Sequence, residues 1–109
     1  MKKLLLASLL AASLTPFSAN AAIECEDIAS LAKTIMDARQ SGISLPKLMG
    51  AVNNSQDEAT KNLGKLIVMD AFESPGFRGA KYKKREINSF ENKWMLSCMK
   101  KEMQRNSEQ

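Results

Sequence analysis

The sequence predicts an all-α fold: a small bundle of about four helices, with one disulfide bond joining the first and last helices. Three observations support this prediction. Apolar residues recur at helical spacing in four segments, which Gly, Pro and Asn residues separate. No segment shows the sustained alternation of apolar and polar residues that is typical of a strand. The chain has two cysteines, Cys25 and Cys98, and they fall in the first and last of these segments.

The N-terminal segment has the pattern of an export signal. Lys2 and Lys3 precede the apolar run Leu4–Leu14, and Ala19-Asn20-Ala21 suits cleavage after Ala21. The run is shorter than the roughly 20 residues of a membrane span, which disfavours the alternative of an uncleaved anchor. We therefore predict a cleaved secretory signal peptide at 1–21, a periplasmic or secreted location, and a single helical domain at 22–109.

An even number of cysteines in an exported chain favours a disulfide bond. Only the pairing of Cys25 with Cys98 exists, and closing this loop of 73 residues stabilises the fold by about 4 kcal/mol in the chain-entropy description. A domain of this size has a marginal core, so such a contribution matters. The alternative of two free, buried thiols stays open at this point.

The first predicted helix is Glu24–Gln40, and Glu24, Glu26 and Asp27 in its first turn suit the positive end of the helix dipole. Gly42 suits the position just after its end. Its apolar stripe consists of Cys25, Ile28, Leu31, Ala32, Ile35 and Ala38. A short second helix follows, with Ser44 as its cap and Pro46 in its first turn. Its predicted buried residues are Leu45, Leu48, Met49 and Val52.

The third predicted helix spans about Gln56–Phe72, because Ser55 and Glu58 match the capping-box pattern at its start. Gly64 weakens this helix by about 1 kcal/mol unless a neighbour packs closely there. Its predicted core side consists of Ala59, Leu63, Leu66, Ile67, Asp70 and Ala71. The fourth helix lies within Lys81–Met103 and runs roughly antiparallel to the first. Its apolar face consists of Ile87, Phe90, Trp94 and Cys98, and residues 104–109 are expected to fray.

Composition disfavours catalysis. The sequence has no histidine, which removes the commonest general base and the commonest metal ligand, and a disulfide would remove both thiols. No catalytic or phosphate-binding motif is present. Asp70 lies on the apolar side of the third helix, where a structural ion pair with Arg39, Lys65 or Arg85 is favoured over a functional carboxylate. We predict that the protein is not an enzyme and has no catalytic residues, no metal site and no cofactor.

Removal of 1–21 leaves 14 basic and 12 acidic residues, a net charge of +2. This charge is too small to favour nucleic acid as a partner. No second apolar segment is long enough to span a membrane.

Two surfaces are candidates for binding, and for each of them the sequence pattern also fits a purely structural role. The densest basic run includes an aromatic residue and suits an anionic envelope partner, although it is also compatible with a solvated helix start. It consists of Arg78, Lys81, Tyr82, Lys83, Lys84 and Arg85. The methionines Met95, Met99 and Met103 follow an i, i+4, i+8 stripe beside Trp94, which indicates either an adaptable protein-binding surface or gap-filling core.

Several segments resemble a family of small exported proteins from Gram-negative bacteria and their phages. These segments are Cys25–Asp27, Met36–Gly42, Ala71–Pro75, Ile87–Trp94 and Cys98. The resemblance implies a periplasmic helical protein with one disulfide bond and implies no activity. Cys25-Glu26-Asp27 is also similar to the start of periplasmic acid-stress chaperones of the HdeA type.

The sequence therefore predicts an exported, non-enzymatic binding protein, such as an envelope effector or inhibitor. Its expected partner is another envelope protein or an anionic envelope component. The alternative function is that of an HdeA-like periplasmic stress chaperone, which opens at low pH to expose apolar surface.

Overall fold

The computed structural model describes residues 23–108 as four helices, and within that range it contains no strand. They are α1 (Cys25–Gln40), α2 (Leu45–Asn53), α3 (Glu58–Ala71) and α4 (Ala80–Glu108). The predictions of an all-α fold with four helices and of a disulfide bond between the first and last are confirmed. The predicted signal peptide at 1–21 lies outside the described residues. No helix described here is both long and apolar enough to cross a membrane.

The ends of α1 follow from local chemistry. Glu24 precedes the helix in extended conformation. The helix therefore begins at Cys25, one residue after the predicted start. Beyond the last turn, Gly42 has a φ of 93°. An L side chain rarely adopts this left-handed conformation, so glycine is the residue that lets the chain leave the helix here without strain, as predicted.

The predicted N-terminal cap of α2 is confirmed, whereas the predicted cap of α3 is wrong. The Ser44 side chain accepts a hydrogen bond from the Lys47 amide, as its predicted role as cap requires. Ser55 is not the cap of α3; Asp57 is, because its Oδ2 accepts from both the amide nitrogen of Thr60 (3.0 Å) and its hydroxyl (2.7 Å). Asp is as good a cap as Ser, and only Asp57 has a partner that donates twice.

The core lies between α1, α2 and α3 and is closed by one buried residue of α4, Phe90. Met36, Ile67 and Val68 are the largest side chains with no exposed surface. The remaining buried apolar members of the cluster are Ala32, Ile35, Leu48, Val52, Ala71 and Phe90. Ile87 and Trp94 pack against this cluster, so the predicted inward face of the fourth helix is confirmed.

Gly64 is the point of closest approach between α2 and α3. A Cβ atom added there would lie 3.0 Å from Cγ1 and 3.1 Å from Cβ of Val52. The missing side chain therefore lets the two helices pack more closely than any other residue would permit, which offsets the helix propensity that glycine loses.

The buried side of α3 differs from the prediction. Leu66 is 57% exposed and Ala59 is also exposed, whereas Val68 is fully buried. The side that faces α1 and α2 carries Gly64 and Val68, so the helix is rotated relative to the stripe inferred from Leu66. A short helix with apolar residues at many positions fits more than one stripe, and packing decides among them. Leu45 of α2, predicted to be buried, is also exposed.

Helices α1 and α4 share the most extensive helix–helix interface and run antiparallel. Cys25, the first residue of α1, is bonded to Cys98 of α4, and the end of α1 lies near the start of α4 through a hydrogen bond between Gln40 and Phe77. The disulfide does not mark the end of α4, because the helix continues to Glu108. Residues 104–108 are helical in the structure, and their fraying stays a prediction. Ten residues, about 15 Å of helix, therefore extend beyond the bond; we call residues 99–108 the overhang.

Two side chains at the end of α1 hold the loop between α3 and α4. Gln40 is 4% exposed; its amide nitrogen donates to the Pro75 carbonyl (3.0 Å), and its carbonyl oxygen accepts from the Phe77 amide (2.9 Å). Arg39 donates to the Ser74 carbonyl (3.0 Å), and its guanidinium stacks 4.5 Å from the centre of the Phe72 ring. These contacts fix the direction in which α4 leaves the loop.

Candidate binding surface on helix α4

Positive charge is concentrated on α4. Of the 14 basic residues in 22–109, eight lie on this helix, together with only four of the 12 acidic residues. The helix therefore carries a net charge of +4, and the remainder of the domain carries −2. The small net charge of +2 is therefore the sum of a positive α4 and a negative remainder of the domain. An anionic partner would be attracted first to α4.

The first three and a half turns of the exposed side of α4 form a cationic, hydrogen-bonding surface, which we call the basic patch. Three cations and three uncharged polar residues line one shallow depression, and all six are exposed. They are Lys81, Lys84, Arg85, Asn88, Ser89 and Asn92. Such a combination suits a partner with several carboxylate or other anionic oxygens, because the amides and the hydroxyl add directional bonds to the charge.

The other predicted members of the basic run are placed around this patch. Tyr82 is 55% exposed, and the guanidinium of Arg85 lies 5.6 Å from the centre of its ring. Lys83 is half-buried and does not line the depression, while Arg78 is exposed in the loop that precedes α4. The structure therefore separates the six predicted residues into a patch of three cations, an adjacent aromatic ring and two flanking cations.

The basic patch has no carboxylate partner among residues 23–108. The ion pairs described are Lys61–Glu58 and Lys93–Asp70, and neither involves the patch. The first turn of α4 contains no acidic residue, although it carries Lys81 and the positive end of the helix dipole. Such a placement costs about 0.3–1 kcal/mol per cation at low ionic strength. The bundle itself gains nothing from this cost.

Farther along α4, the exposed side becomes apolar. Leu96, Met99 and Met103 are 52%, 44% and 68% exposed. They are spaced by three and four residues, so they share one side of the helix, opposite the side that carries Phe90. We call them the apolar stripe. The gap-filling interpretation of Met99 and Met103 is wrong. Leu96 was missed by sequence reasoning, although its spacing from Met99 and Met103 was a usable signal.

Trp94 and Met95 do not belong to that stripe. The indole nitrogen of Trp94 donates to Oδ2 of Asp70 (2.9 Å), and its ring lies 6.4 Å from that of Phe90, so Trp94 faces the bundle. Met95 is half-buried beside Ala29 of α1. The sequence placed Trp94 and the methionines on adjoining parts of one surface, whereas the structure places Trp94 and Met99 on opposite sides of α4.

Asp70 has a structural role at the contact between α3 and α4. Its carboxylate accepts from Lys93 (2.7 Å to Oδ2) and from the indole of Trp94. None of the predicted partners, Arg39, Lys65 and Arg85, forms this ion pair. Sequence spacing indicated that Asp70 lies on the side of α3 that carries apolar residues. The position of α4 along that side decides which cation it meets.

Chemically reactive groups are few in the described part of the chain. Hydrogen bonds from Thr60 hold the pKa of Asp57 below its usual value of 3.8, but Asp57 lies at the start of α3, away from the basic patch. Cys25, Cys98 and Glu102 bring three potential metal ligands within 4.8 Å of one another, yet both sulfurs are engaged in the disulfide.

Comparison of the chain with protein-family models, with curated proteins and with solved structures finds no match.

Proposed function

We propose that this is an exported, non-enzymatic binding protein of the periplasm, and that the exposed side of α4 binds an acidic protein of the envelope as an effector or inhibitor. The observation that carries the proposal is the basic patch, three cations in the first two turns of α4 without a carboxylate partner among residues 23–108, with Lys81 in the first turn. A partner that neutralises these charges would account for cations that form no ion pair in the described part of the chain.

The apolar stripe supports a protein as the partner. Leu96, Met99 and Met103 lie on the same side of α4 as the basic patch, about 6–16 Å beyond its last residue, Asn92, along the helix axis. A helix that lies in a membrane interface needs a continuous apolar face. Here the apolar stripe is limited to Leu96–Met103, because the preceding turns on that side carry Asn88, Ser89 and Asn92. Methionine side chains adapt to partner surfaces of varied shape, which suits a protein–protein contact.

Export and the absence of catalysis are parts of the same proposal. A disulfide between Cys25 and Cys98 persists in an oxidising compartment, which agrees with the signal-like pattern of 1–21. The sequence has no histidine, and the disulfide consumes both thiols. We extend the proposal to membership in the family of small exported proteins that the sequence resembles; one disulfide and four helices support it.

The test uses the oxidised protein purified from a periplasm as bait for envelope proteins. The variant Lys81→Glu/Lys84→Glu/Arg85→Glu removes the basic patch. Its matched control, Lys33→Glu/Lys47→Glu/Lys65→Glu, has the same net charge but reverses cations on the other three helices. We expect a specific partner to be retained by the parent and the control, lost by the patch variant, and released as salt is raised. Equal capture by both variants would remove the basic patch from the mechanism.

A second pair of variants tests the apolar stripe. Met99→Gln/Met103→Gln alters the stripe, and Leu66→Gln/Met69→Gln alters two comparably exposed apolar residues of α3. We expect only the first variant to weaken binding of the captured partner, by about tenfold. Sedimentation with anionic lipid vesicles tests the alternative partner, a lipid surface. Retention on vesicles, together with no captured protein, would replace the acidic protein with a lipid surface.

The stress-chaperone alternative is favoured by one contact. The Asp70 carboxylate alone accepts the hydrogen bonds of both Lys93 and Trp94 between α3 and α4. Both bonds end on this one group, so the side-chain contact between α3 and α4 depends on it. Loss of structure below about pH 4, with protection of aggregating client proteins at that pH, would support the chaperone. A folded protein that leaves clients unprotected would dispose of it.

A further inference from the structure

A cleft of about 240 Å3 lies below the overhang, where α4 passes beyond the disulfide. Half-buried apolar side chains from three helices line it: Ile28 of α1, Leu63 of α3 and Trp94 of α4. Lys101 and Arg105 are exposed at its rim, together with the partly buried Glu102. This terminal cleft lies on the opposite side of α4 from the apolar stripe, and the proposed function does not use it.

The character of the inward side of α4 changes abruptly at the terminal cleft. Trp94, Cys98, Lys101 and Arg105 are spaced by four, three and four residues, so they share one side of the helix. Before the disulfide this side packs into the core, and after it the same side carries two cations. These cations contribute nothing to core packing. Neither of them forms an ion pair within 4.0 Å among residues 23–108. They lie directly beyond an apolar surface.

We propose that the terminal cleft is a binding site for a small amphipathic anion, a carboxylate with an aliphatic chain. The chain would lie against Ile28, Leu63 and Trp94, and the carboxylate would pair with Lys101 and Arg105. The volume of 240 Å3 equals that of about eight water molecules. A ligand of about ten non-hydrogen atoms therefore fills it with its head group in solvent.

The charges at the rim favour a ligand with a single negative charge. Lys101 and Arg105 supply two positive charges, and Glu102 supplies one negative charge, so the rim has a net charge of +1. The Glu102 carboxylate lies within 4.8 Å of both disulfide sulfurs, which places it at the inner end of the rim. A monocarboxylate balances this charge. A polyanion would meet the carboxylate of Glu102, and a cation would meet Lys101 and Arg105.

Octanoate is the probe, and Trp94, the only tryptophan of the chain, is the reporter. The oxidised protein purified from a periplasm is titrated with octanoate below its micellar concentration, while tryptophan fluorescence and the methyl resonances of Ile28 and Leu63 are followed. We expect saturable changes in both signals. Lys101→Glu/Arg105→Glu should weaken binding at least about tenfold, because two attractions become repulsions. The control Lys47→Glu/Lys100→Glu has the same net charge and should bind within about twofold of the parent.

Three outcomes would overturn the proposal. The first is the absence of any saturable change in Trp94 fluorescence or in the two methyl resonances. The second is equal binding of octanoate by the rim variant, or equal binding of octylammonium by the parent, because either result removes the carboxylate from recognition. The third is a dimer with intermolecular contacts at Ile28 and Leu63 that octanoate does not displace, which would place a second copy of the chain in the terminal cleft. Both substituted residues at the rim are exposed, so the rim variant retains the fold.

Discussion

Gln40→Leu should lower the free energy of unfolding by about 2 kcal/mol. The substitution keeps the size of a side chain that is 4% exposed but removes its amide. The Pro75 carbonyl loses its donor at 3.0 Å, and the Phe77 amide loses its acceptor at 2.9 Å. A buried polar group left without a partner costs about 1–3 kcal/mol. Pro75 is exposed and Phe77 half-buried, so water can reach the freed groups and each costs about 1 kcal/mol, the lower end of that range.

Urea unfolding followed by circular dichroism measures this effect, and hydrogen exchange at the Phe77 amide should accelerate in parallel. Gln104→Leu is the matched control, because Gln104 is exposed on α4, and it should change the unfolding free energy by less than about 0.5 kcal/mol. Gln40→Glu keeps the acceptor for Phe77 but turns an oxygen towards the Pro75 carbonyl. It should therefore be destabilised at neutral pH and recover when the carboxylate is protonated. An unfolding free energy for Gln40→Leu within about 0.5 kcal/mol of the parent would refute the reasoning.

Three further predictions concern stability. Cys25→Ser/Cys98→Ser should lower the free energy of unfolding by about 4 kcal/mol in urea titrations, since the closed loop has 73 residues, and an unchanged midpoint would contradict it. Lys81→Glu should raise the free energy of unfolding by about 0.3–1 kcal/mol at low salt and by less at about 1 M salt, and a loss at low salt would show that the helix dipole does not govern this turn. Thr60 holds the pKa of Asp57 below 3.8, so this carboxylate contributes stability above that pH, and the contribution disappears as the pH falls through the lowered pKa. Asp57→Asn should reduce the acid dependence of the urea midpoint between about pH 2 and 5, and identical pH profiles would count against this cap.

Helical periodicity, break residues and the two cysteines were sufficient to predict the number of helices, their approximate bounds and the pairing of Cys25 with Cys98. The rotation of α3 was not predictable in the same way. Leu66 and Val68 are both apolar, and which of them is buried depends on the close approach of Val52 to Gly64, a contact between two helices. Periodicity identifies apolar residues, whereas the partner helix selects the stripe that is buried.

The candidate surface was predictable only in part. The basic run was visible as a cluster of residue types, but only three of its cations line one depression, because Lys83 falls on another side of the helix. The contacts of Gln40 were not predictable, since a glutamine near a helix end ordinarily faces solvent. Its burial arises from where the loop at 74–77 returns to α1, and no local pattern encodes that position.

The overhang of α4 lies between both proposed binding sites, with Met99 and Met103 on one side and Lys101 and Arg105 on the other. Few core contacts hold these last turns, so their backbone opens at low free energy and their amides exchange with solvent sooner than those of the core. A ligand on either side adds its binding free energy to the closed helix. The exchange rates of this one segment would therefore register occupancy of both sites and would show whether filling one favours filling the other.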